Sequence, residues 1–187
     1  MNTIHLHARP APQDDDSALR IAARSKAARS ERAASARSAG CDAVDFPQAA
    51  DGRPLPTGDW HWSISHGREW VAGAVHVEPI GIDVERIHLR PKLLDRVLSA
   101  PETDLFQDHE LEHAFIRAWT AKEAVVKASG AGLQDLSLCT IVAVDGPGRL
   151  WVECRGERLR VDQRTHAGHV LAVHAPGDAW DVTWYVD

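Results

Sequence analysis

Two short segments limit the possible folds and chemistry of this 187-residue chain more than any other part of it. In Gly81-Ile82-Asp83-Val84-Glu85, apolar and acidic residues alternate. Side chains of a β-strand have a period of two, so a strand here places both carboxylates on one face and the apolar side chains on the other. The second segment, residues 119–127, is typical of a helix. Its Glu123 and Lys127 are four residues apart and therefore share a helix face.

Together the two segments offer the groups of a metal and phosphate site. Asp83, Glu85 and Glu123 would supply three hard oxygen ligands beside the cationic Lys127, a set suited to Mg²⁺ and a phosphate ester. Each segment also has a simpler explanation. Asp83 and Glu85 can be acids on the solvent-facing side of a strand, and Glu123 with Lys127 can be an ordinary helical ion pair worth about 0.3–0.5 kcal/mol.

Hydrophobic patterning predicts an α+β protein. Strands are predicted at residues 4–8, 60–64, 71–77, 82–87, 141–144, 150–154, 159–162, 170–174 and 180–186, and helices at 17–37, 91–98 and 110–129. Asp16 or Ser17 is a suitable N-cap for the first helix, and Gly130 and Gly132 stop the last one. The strands after residue 140 follow one another closely, which predicts an antiparallel meander.

A short internal repeat suggests two related halves. Ala74-Val75-His76 is followed eight residues on by Ile82-Asp83-Val84, and Ala172-Val173-His174 is followed eight residues on by Trp180-Asp181-Val182. Matches this short also arise by chance. If the repeat reflects duplication, residues 1–84 and 85–187 form two similar α/β halves. Each half would have an antiparallel sheet and a packed helix, and the active site would lie in the cleft between them.

Composition favours a cytoplasmic protein that does not cross a membrane. The first residues lack an apolar run, no stretch reaches the length of a membrane span, and the three cysteines lack metal-ligand spacing. They are interpreted as small core residues of a reducing compartment, not as a disulfide framework. The net charge of −6 disfavours a general polyanion or nucleic-acid binder.

The first predicted helix is locally basic, with a weak apolar stripe that predicts light packing. Its charged residues are Arg20, Arg24, Lys26, Arg29, Arg32 and Arg37 against Glu31. They form either a solvated face or a contact for phosphate or nucleic acid.

Four motifs in order, read together, resemble the 4'-phosphopantetheinyl transferase superfamily. They are Gly52-Arg53-Pro54, Ile64-Ser65-His66, Gly81 to Glu85, and Trp119-Thr-Ala-Lys-Glu-Ala-x-x-Lys-Ala-x-Gly-x-Gly-Leu133. The length is similar to that of the larger pseudodimeric, surfactin-synthetase-activating type, which acts as a monomer.

The resemblance implies transfer of phosphopantetheine from coenzyme A to a serine of an acyl or peptidyl carrier protein, with release of adenosine 3',5'-bisphosphate. It implies that Asp83, Glu85 and Glu123 hold Mg²⁺ on the pyrophosphate and that Lys127 contacts a phosphate. The serine proton would pass to Glu123 or to a metal-bound water.

The resemblance also implies coenzyme A contacts. Ser65 and His66 match positions that bind the 3'-phosphate, and Arg53 matches a basic residue near the adenine. Arg20 and Arg24 of the first helix are further candidates for the phosphate.

Two further positions carry expectations of their own. Gly67 departs from the Ser that is usual in the family, and Lys122 is expected in a supporting or surface role. A non-catalytic carrier-protein binder, a nucleic-acid-binding module and a Mg²⁺-dependent phosphohydrolase are the alternative functions.

Overall fold

The computed structural model describes residues 2–13 and 17–187, so the candidate N-cap Asp16 lies outside the described residues. The strands are β1 (Asn2–Pro10), β2 (His61–His66), β3 (Trp70–His76), β4 (Gly81–Arg86), β5 (Cys139–Asp145), β6 (Arg149–Cys154), β7 (Glu157–His166), β8 (His169–His174) and β9 (Trp180–Val186). The helices are α1 (Ser17–Ala39), α2 (Leu94–Val97), α3 (Ala100–Asp104) and α4 (Leu111–Ala128), with 3₁₀ turns at Pro91–Leu93 and Leu133–Leu138.

The strands form two sheets. One has the order β2-β3-β1-β9 and the other has the order β4-β8-β7-β6-β5. All neighbours are antiparallel except β1 and β9, which are parallel. Helix α1 packs on β3 and β1, and α4 packs on β4 and β8. The predicted class, α+β with two similar halves that each pair a sheet with a helix, is confirmed.

The last strand corrects one prediction. Strands β5 to β8 form the expected meander, but β9 crosses to the other sheet and pairs with β1 in the register Ile4↔Val182 and Leu6↔Trp184. Both edges of β8 are already taken, by β4 and β7. The crossing lets the apolar face of β9 pack on a core that includes Ile4 and Leu6.

Sheet membership therefore does not follow chain order. Strand β4 pairs with β8 of the five-stranded sheet. Because β4 spans Gly81–Arg86, a division of the chain after residue 84 falls inside this strand. Both copies of the sequence repeat lie where the chain leaves one sheet for the other, at β3–β4 and at β8–β9. The division of the chain into residues 1–84 and 85–187 stays a prediction.

Both long helices approach their sheets at a glycine. A Cβ added to Gly73 would lie 2.1 Å from the backbone nitrogen of Arg32 on α1, and one added to Gly81 would lie 1.9 Å from the carbonyl oxygen of Ala124 on α4. The apolar residues that α1 buries are mainly alanines, and such small side chains let the helix backbone pack closely on the sheet. The expectation that this helix packs only lightly is therefore wrong. At β4 the same close contact brings the acidic strand against the helix that carries Glu123.

Lys122 is buried and structural, so the surface alternative for this residue is wrong. Its ammonium lies 2.6 Å from Glu102 of α3 and donates a hydrogen bond of 2.7 Å to the carbonyl of Val97. The Glu102 carboxylate also accepts hydrogen bonds from the backbone N–H groups of Ser99 and Ile141. This network joins α4 to α3 and β5, and it satisfies two buried charges at once.

No helix in residues 2–13 and 17–187 is long and apolar enough to cross a membrane.

We expect Gly81→Ala to destabilise the protein by about 1–3 kcal/mol, because the new methyl group overlaps the α4 backbone and forces the helix away. Urea unfolding measures this change. Gly148→Ala is the control, since a Cβ there meets its nearest atom at 3.7 Å. Equal unfolding midpoints for the two variants would show that the close approach of α4 is unimportant.

Buried His174 predicts a pH-dependent stability. Burial lowers the pKa of His174 below 6.5, although its hydrogen bond to the carbonyl of Arg160 acts in the opposite direction. As the pH falls below 6.5, the unfolded state takes up a proton that the folded state resists, so stability falls. The stability advantage of wild type over His174→Asn should therefore shrink between pH 7.5 and pH 5.5, measured by urea unfolding. An advantage that is constant with pH would contradict this.

Candidate functional site

The candidate site forms where β4 packs on α4. Asp83 and Glu85 alternate with buried apolar residues along β4, and Glu123 and Lys127 lie one turn apart on α4. Twelve of the eighteen residues of α4 are buried, so the helix holds these two side chains in place with little freedom. Three of the four groups are acids. The two elements that carry the four groups, β4 and α4, are far apart in the sequence.

Lys127 is the cation at the centre of this cluster. Its Nζ lies 2.7 Å from Asp83 Oδ1 and 3.2 Å from Glu123 Oε2, and it donates a further hydrogen bond of 3.1 Å to the carbonyl of Ile82. Burial would lower the pKa of Lys127, but the two carboxylates outweigh this effect and raise it. The lysine is therefore charged, and one ammonium links the strand to the helix.

The cluster carries more negative charge than Lys127 neutralises. Burial, followed by the charge of Asp83, raises the pKa of Glu85 to about 7 and that of Glu123 also to about 7. Asp83 itself is only 3% exposed, and its Oδ2 has no hydrogen-bond partner among the described residues. These acids lie close enough to repel one another and are short of positive charge.

Ser65 positions Asp83. Its hydroxyl donates a hydrogen bond of 2.8 Å to Asp83 Oδ1 and accepts one of 3.2 Å from the backbone N–H of Val84. Ser63 likewise accepts a hydrogen bond from the N–H of Ile82. The two hydroxyls thus connect β2 of one sheet to β4 of the other. Sequence motifs indicated Ser65 as a phosphate contact, and nothing in the motif indicated this bridging role.

Glu85 is held from the outer side by Arg90. The guanidinium of Arg90 lies 2.6 Å from the Glu85 carboxylate, and it sits 5.1 Å from the ring centre of Trp119. Trp119 in turn packs on the core beside Phe115. The stacked guanidinium is weakly hydrated and fixed in direction, so it can orient the carboxylate.

A cleft of about 860 Å³ opens beside Glu85. Elements of both sheets and both long helices contribute its lining, which consists of Arg24, His66, Gly67, Arg68, Glu69, Glu85, Arg86, Ile87, His88, Arg90, Glu112 and His169. Of the predicted contacts, Arg24 and His66 lie here with the metal-site candidate Glu85. Asp83, Glu123 and Lys127 do not line the cleft and are in electrostatic contact with Glu85.

Sequence reasoning missed several basic residues of this cleft. Arg86 ends β4 directly after Glu85, and Arg90 follows four residues later. This closeness to the acidic pair is the one sequence signal that could have found them. His88 and His169 have no recognisable ligand spacing in the sequence. His169 lies 3.5 Å from Glu69, which also pairs with Arg86 at 2.7 Å.

The remaining predicted contacts lie outside the cleft lining. Arg53 is half exposed, 3.9 Å from Asp51, and its side chain lies beside Gly130 at the end of α4. Arg20 lies one helical turn before Arg24 on α1, so the two share a helix face. Binding of coenzyme A by these residues stays a prediction.

Gly67 has a local structural reason. A Cβ at this position would lie 3.1 Å from the carbonyl oxygen of Val84, which is tighter than an ordinary contact. The departure from the family pattern therefore matches a close approach between the β2–β3 loop and β4. A serine here would require a small shift of one of them.

The acids fit a divalent cation chemically, although they are not arranged as its ligands. Within residues 2–13 and 17–187, no group of three His, Cys, Asp or Glu side chains is placed to hold a metal ion. The unpaired Asp83 Oδ2 and the raised pKa values of Glu85 and Glu123 nevertheless show a demand for positive charge. Hard carboxylate oxygens are the ligands that Mg²⁺ prefers.

Comparison with known proteins identifies the family. The sequence model of the 4'-phosphopantetheinyl transferase superfamily matches residues 79–173, just over half of the chain and the part that holds all four site residues. The chain belongs to this superfamily, as the motifs predicted.

Individual relatives match about half of the chain. The chain is 34% identical over 96 residues to the 4'-phosphopantetheinyl transferase psf-1 of Bacillus pumilus, covering 48% of this chain and 41% of that protein. It is 35% identical over 114 residues to a 4'-phosphopantetheinyl transferase of Bacillus subtilis, covering 54% and 49%. The chain thus spans less than half the length of these relatives.

Ser65→Ala tests the bridging role of this hydroxyl. We expect a loss of about 1–3 kcal/mol in unfolding free energy without any ligand, because the buried N–H of Val84 and the buried Asp83 each lose a partner. Ser137→Ala, which removes an exposed hydroxyl, is the control and should change little. Wild-type stability of Ser65→Ala in urea unfolding would leave Ser65 with a ligand-binding role alone.

Proposed function

We propose that this chain transfers the 4'-phosphopantetheine arm of coenzyme A to a serine of an acyl or peptidyl carrier protein. The reaction is Mg²⁺-dependent and releases adenosine 3',5'-bisphosphate. The observation that carries the proposal is that Asp83 and Glu123 share the ammonium of Lys127, while Glu85, close enough to interact electrostatically with all three, lines the adjoining cleft.

The metal ligands proposed are Asp83, Glu85 and Glu123. Support comes from the unpaired Oδ2 of Asp83 and from the raised pKa of both glutamates, which burial and then the negative charge of Asp83 cause. Mg²⁺ held by these residues would supply positive charge that stabilises the negative charge developing on the phosphate oxygens during transfer. Lys127 would then share Asp83 and Glu123 with the cation and lie close to the substrate phosphate.

The cleft suits the adenosine bisphosphate part of coenzyme A. Arg24, His66 and Arg86 supply donors and positive charge for phosphate, and the volume of about 860 Å³ is sufficient for a nucleotide-sized ligand. In this proposal His66 contacts the 3'-phosphate. Arg20 and Arg53 contribute positive charge from outside the cleft lining. Ser65 acts mainly by orienting Asp83.

The acceptor serine must lose a proton as it attacks the phosphorus atom. Glu123 is the proposed acceptor, because its carboxylate is buried beside the reacting region and Lys127 fixes its position. Arg90 holds Glu85 from the outer side and so fixes the direction of its carboxylate. Elements of both sheets of one chain line the cleft, which supports the proposal that the protein acts as a monomer. The cytoplasmic location stays a prediction.

Glu123→Gln should reduce transfer by about 10²–10⁴-fold, because the variant loses both a metal ligand and the proton acceptor. The assay incubates the variant with coenzyme A, Mg²⁺ and a panel of apo carrier proteins, and follows the mass of the phosphopantetheine arm on the carrier. Glu153→Gln, on the exposed face of β6, is the control. A wild-type rate for Glu123→Gln would refute the metal-site assignment.

His66→Ala should raise the KM for coenzyme A and leave kcat nearly unchanged, since the histidine contacts a phosphate that takes no part in the reaction. With coenzyme A that lacks the 3'-phosphate, the variant and wild type should have the same KM. If His66→Ala leaves the KM for coenzyme A unchanged and alters only the KM for coenzyme A that lacks the 3'-phosphate, this assignment is wrong.

A further inference from the structure

Two cysteines that the site does not use lie directly opposite each other in the five-stranded sheet. Cys139 begins β5, Cys154 ends β6, and the two are partners in the antiparallel register. Their sulfurs are 2.8 Å apart, and both are free thiols. Partners in an antiparallel pair have Cα atoms about 4.5–5.5 Å apart, which is within the range that a disulfide bridges.

The two thiols are not equivalent. Cys139 is 2% exposed, its S–H donates to the sulfur of Cys154, and burial raises the pKa of its thiol. Cys154 is partly exposed and lies just before the tight turn at Arg155 and Gly156, both of which have positive φ. A reagent from solvent therefore reaches Cys154 first, and Cys139 lies behind it.

We propose that Cys139 and Cys154 are a site of reversible thiol oxidation, at which a small-molecule disulfide such as oxidised glutathione converts them to an intramolecular disulfide. The Cys154 thiolate attacks one sulfur of the reagent, forms a mixed disulfide and releases one glutathione thiolate. Cys139 then loses its proton and attacks the sulfur of Cys154, and the second glutathione leaves. Two protein thiols are oxidised by two electrons, and one oxidised glutathione is reduced to two thiols.

The Cys139–Cys154 disulfide would link the two strands of the β5–β6 hairpin covalently without changing how they pair. None of the residues that line the cleft lies between Cys139 and Cys154. The disulfide should thus stabilise the fold, because it restricts the unfolded chain, and leave the site unchanged. The spacing of the two residues in the sequence gives no sign of this, since only the register of two strands brings them together.

The test incubates the folded full chain with a series of oxidised and reduced glutathione mixtures, then blocks all remaining thiols with N-ethylmaleimide in denaturant, so that buried Cys139 also reacts, and maps peptides by mass spectrometry. We expect alkylated cysteines to fall from three to one, with Cys41 remaining alkylated and a Cys139–Cys154 peptide pair appearing. The effective concentration of the two thiols in the folded protein should exceed that in urea by about 100-fold or more.

Variants separate the two steps. Cys154→Ser should abolish the disulfide, Cys139→Ser should accumulate the mixed glutathione disulfide at Cys154, and Cys41→Ser should behave as wild type. The wild-type peptide map needs no variant and decides the case even if a substitution prevents folding. Three alkylated cysteines in the folded protein at every ratio, or an effective concentration equal to that in urea, would overturn the proposal.

Discussion

The contact between β4 and α4 is the feature on which the rest of the structure depends. Gly81 has no side chain, so the α4 backbone can lie against the strand at the position where any other residue would clash with Ala124. Without that approach, Asp83 on the strand and Glu123 on the helix could not share the ammonium of Lys127. The packing of an apolar helix on a sheet thus determines the geometry of a polar site.

That geometry has an electrostatic cost. Burial penalises each carboxylate, and the negative charge of Asp83 raises the pKa of both neighbouring glutamates. Lys127 and Arg90 offset part of this cost, and Ser65 offsets another part through its hydrogen bond to Asp83. Uncompensated buried negative charge of this kind favours the binding of a cation, which would offset the repulsion among the three acids.

Local patterns in the sequence predicted the elements well and their sheet order less well. Period-two alternation and the glycine stops located the strands and α4, and the acid and lysine positions placed the cluster on two facing elements. The crossing of β9 to pair with β1 was not predictable, because it depends on which sheet edges remain open. The bridging role of Ser65 depends on a contact between the two sheets, which no local pattern encodes. The one sequence signal for Arg86 and Arg90 is that they lie close after the acidic pair, and only the fold shows that they line the cleft.

The central claim is that acids from β4 and α4 hold one divalent cation together. Anomalous diffraction from crystals grown with Mn²⁺ and coenzyme A tests it directly, because Mn²⁺ accepts the same oxygen ligands as Mg²⁺ and scatters strongly. The account predicts one Mn²⁺ peak in contact with carboxylate oxygens of Asp83, Glu85 and Glu123 and with the pyrophosphate. A coenzyme A complex with Mn²⁺ bound elsewhere, or with Lys127 alone between Asp83 and Glu123, would contradict it.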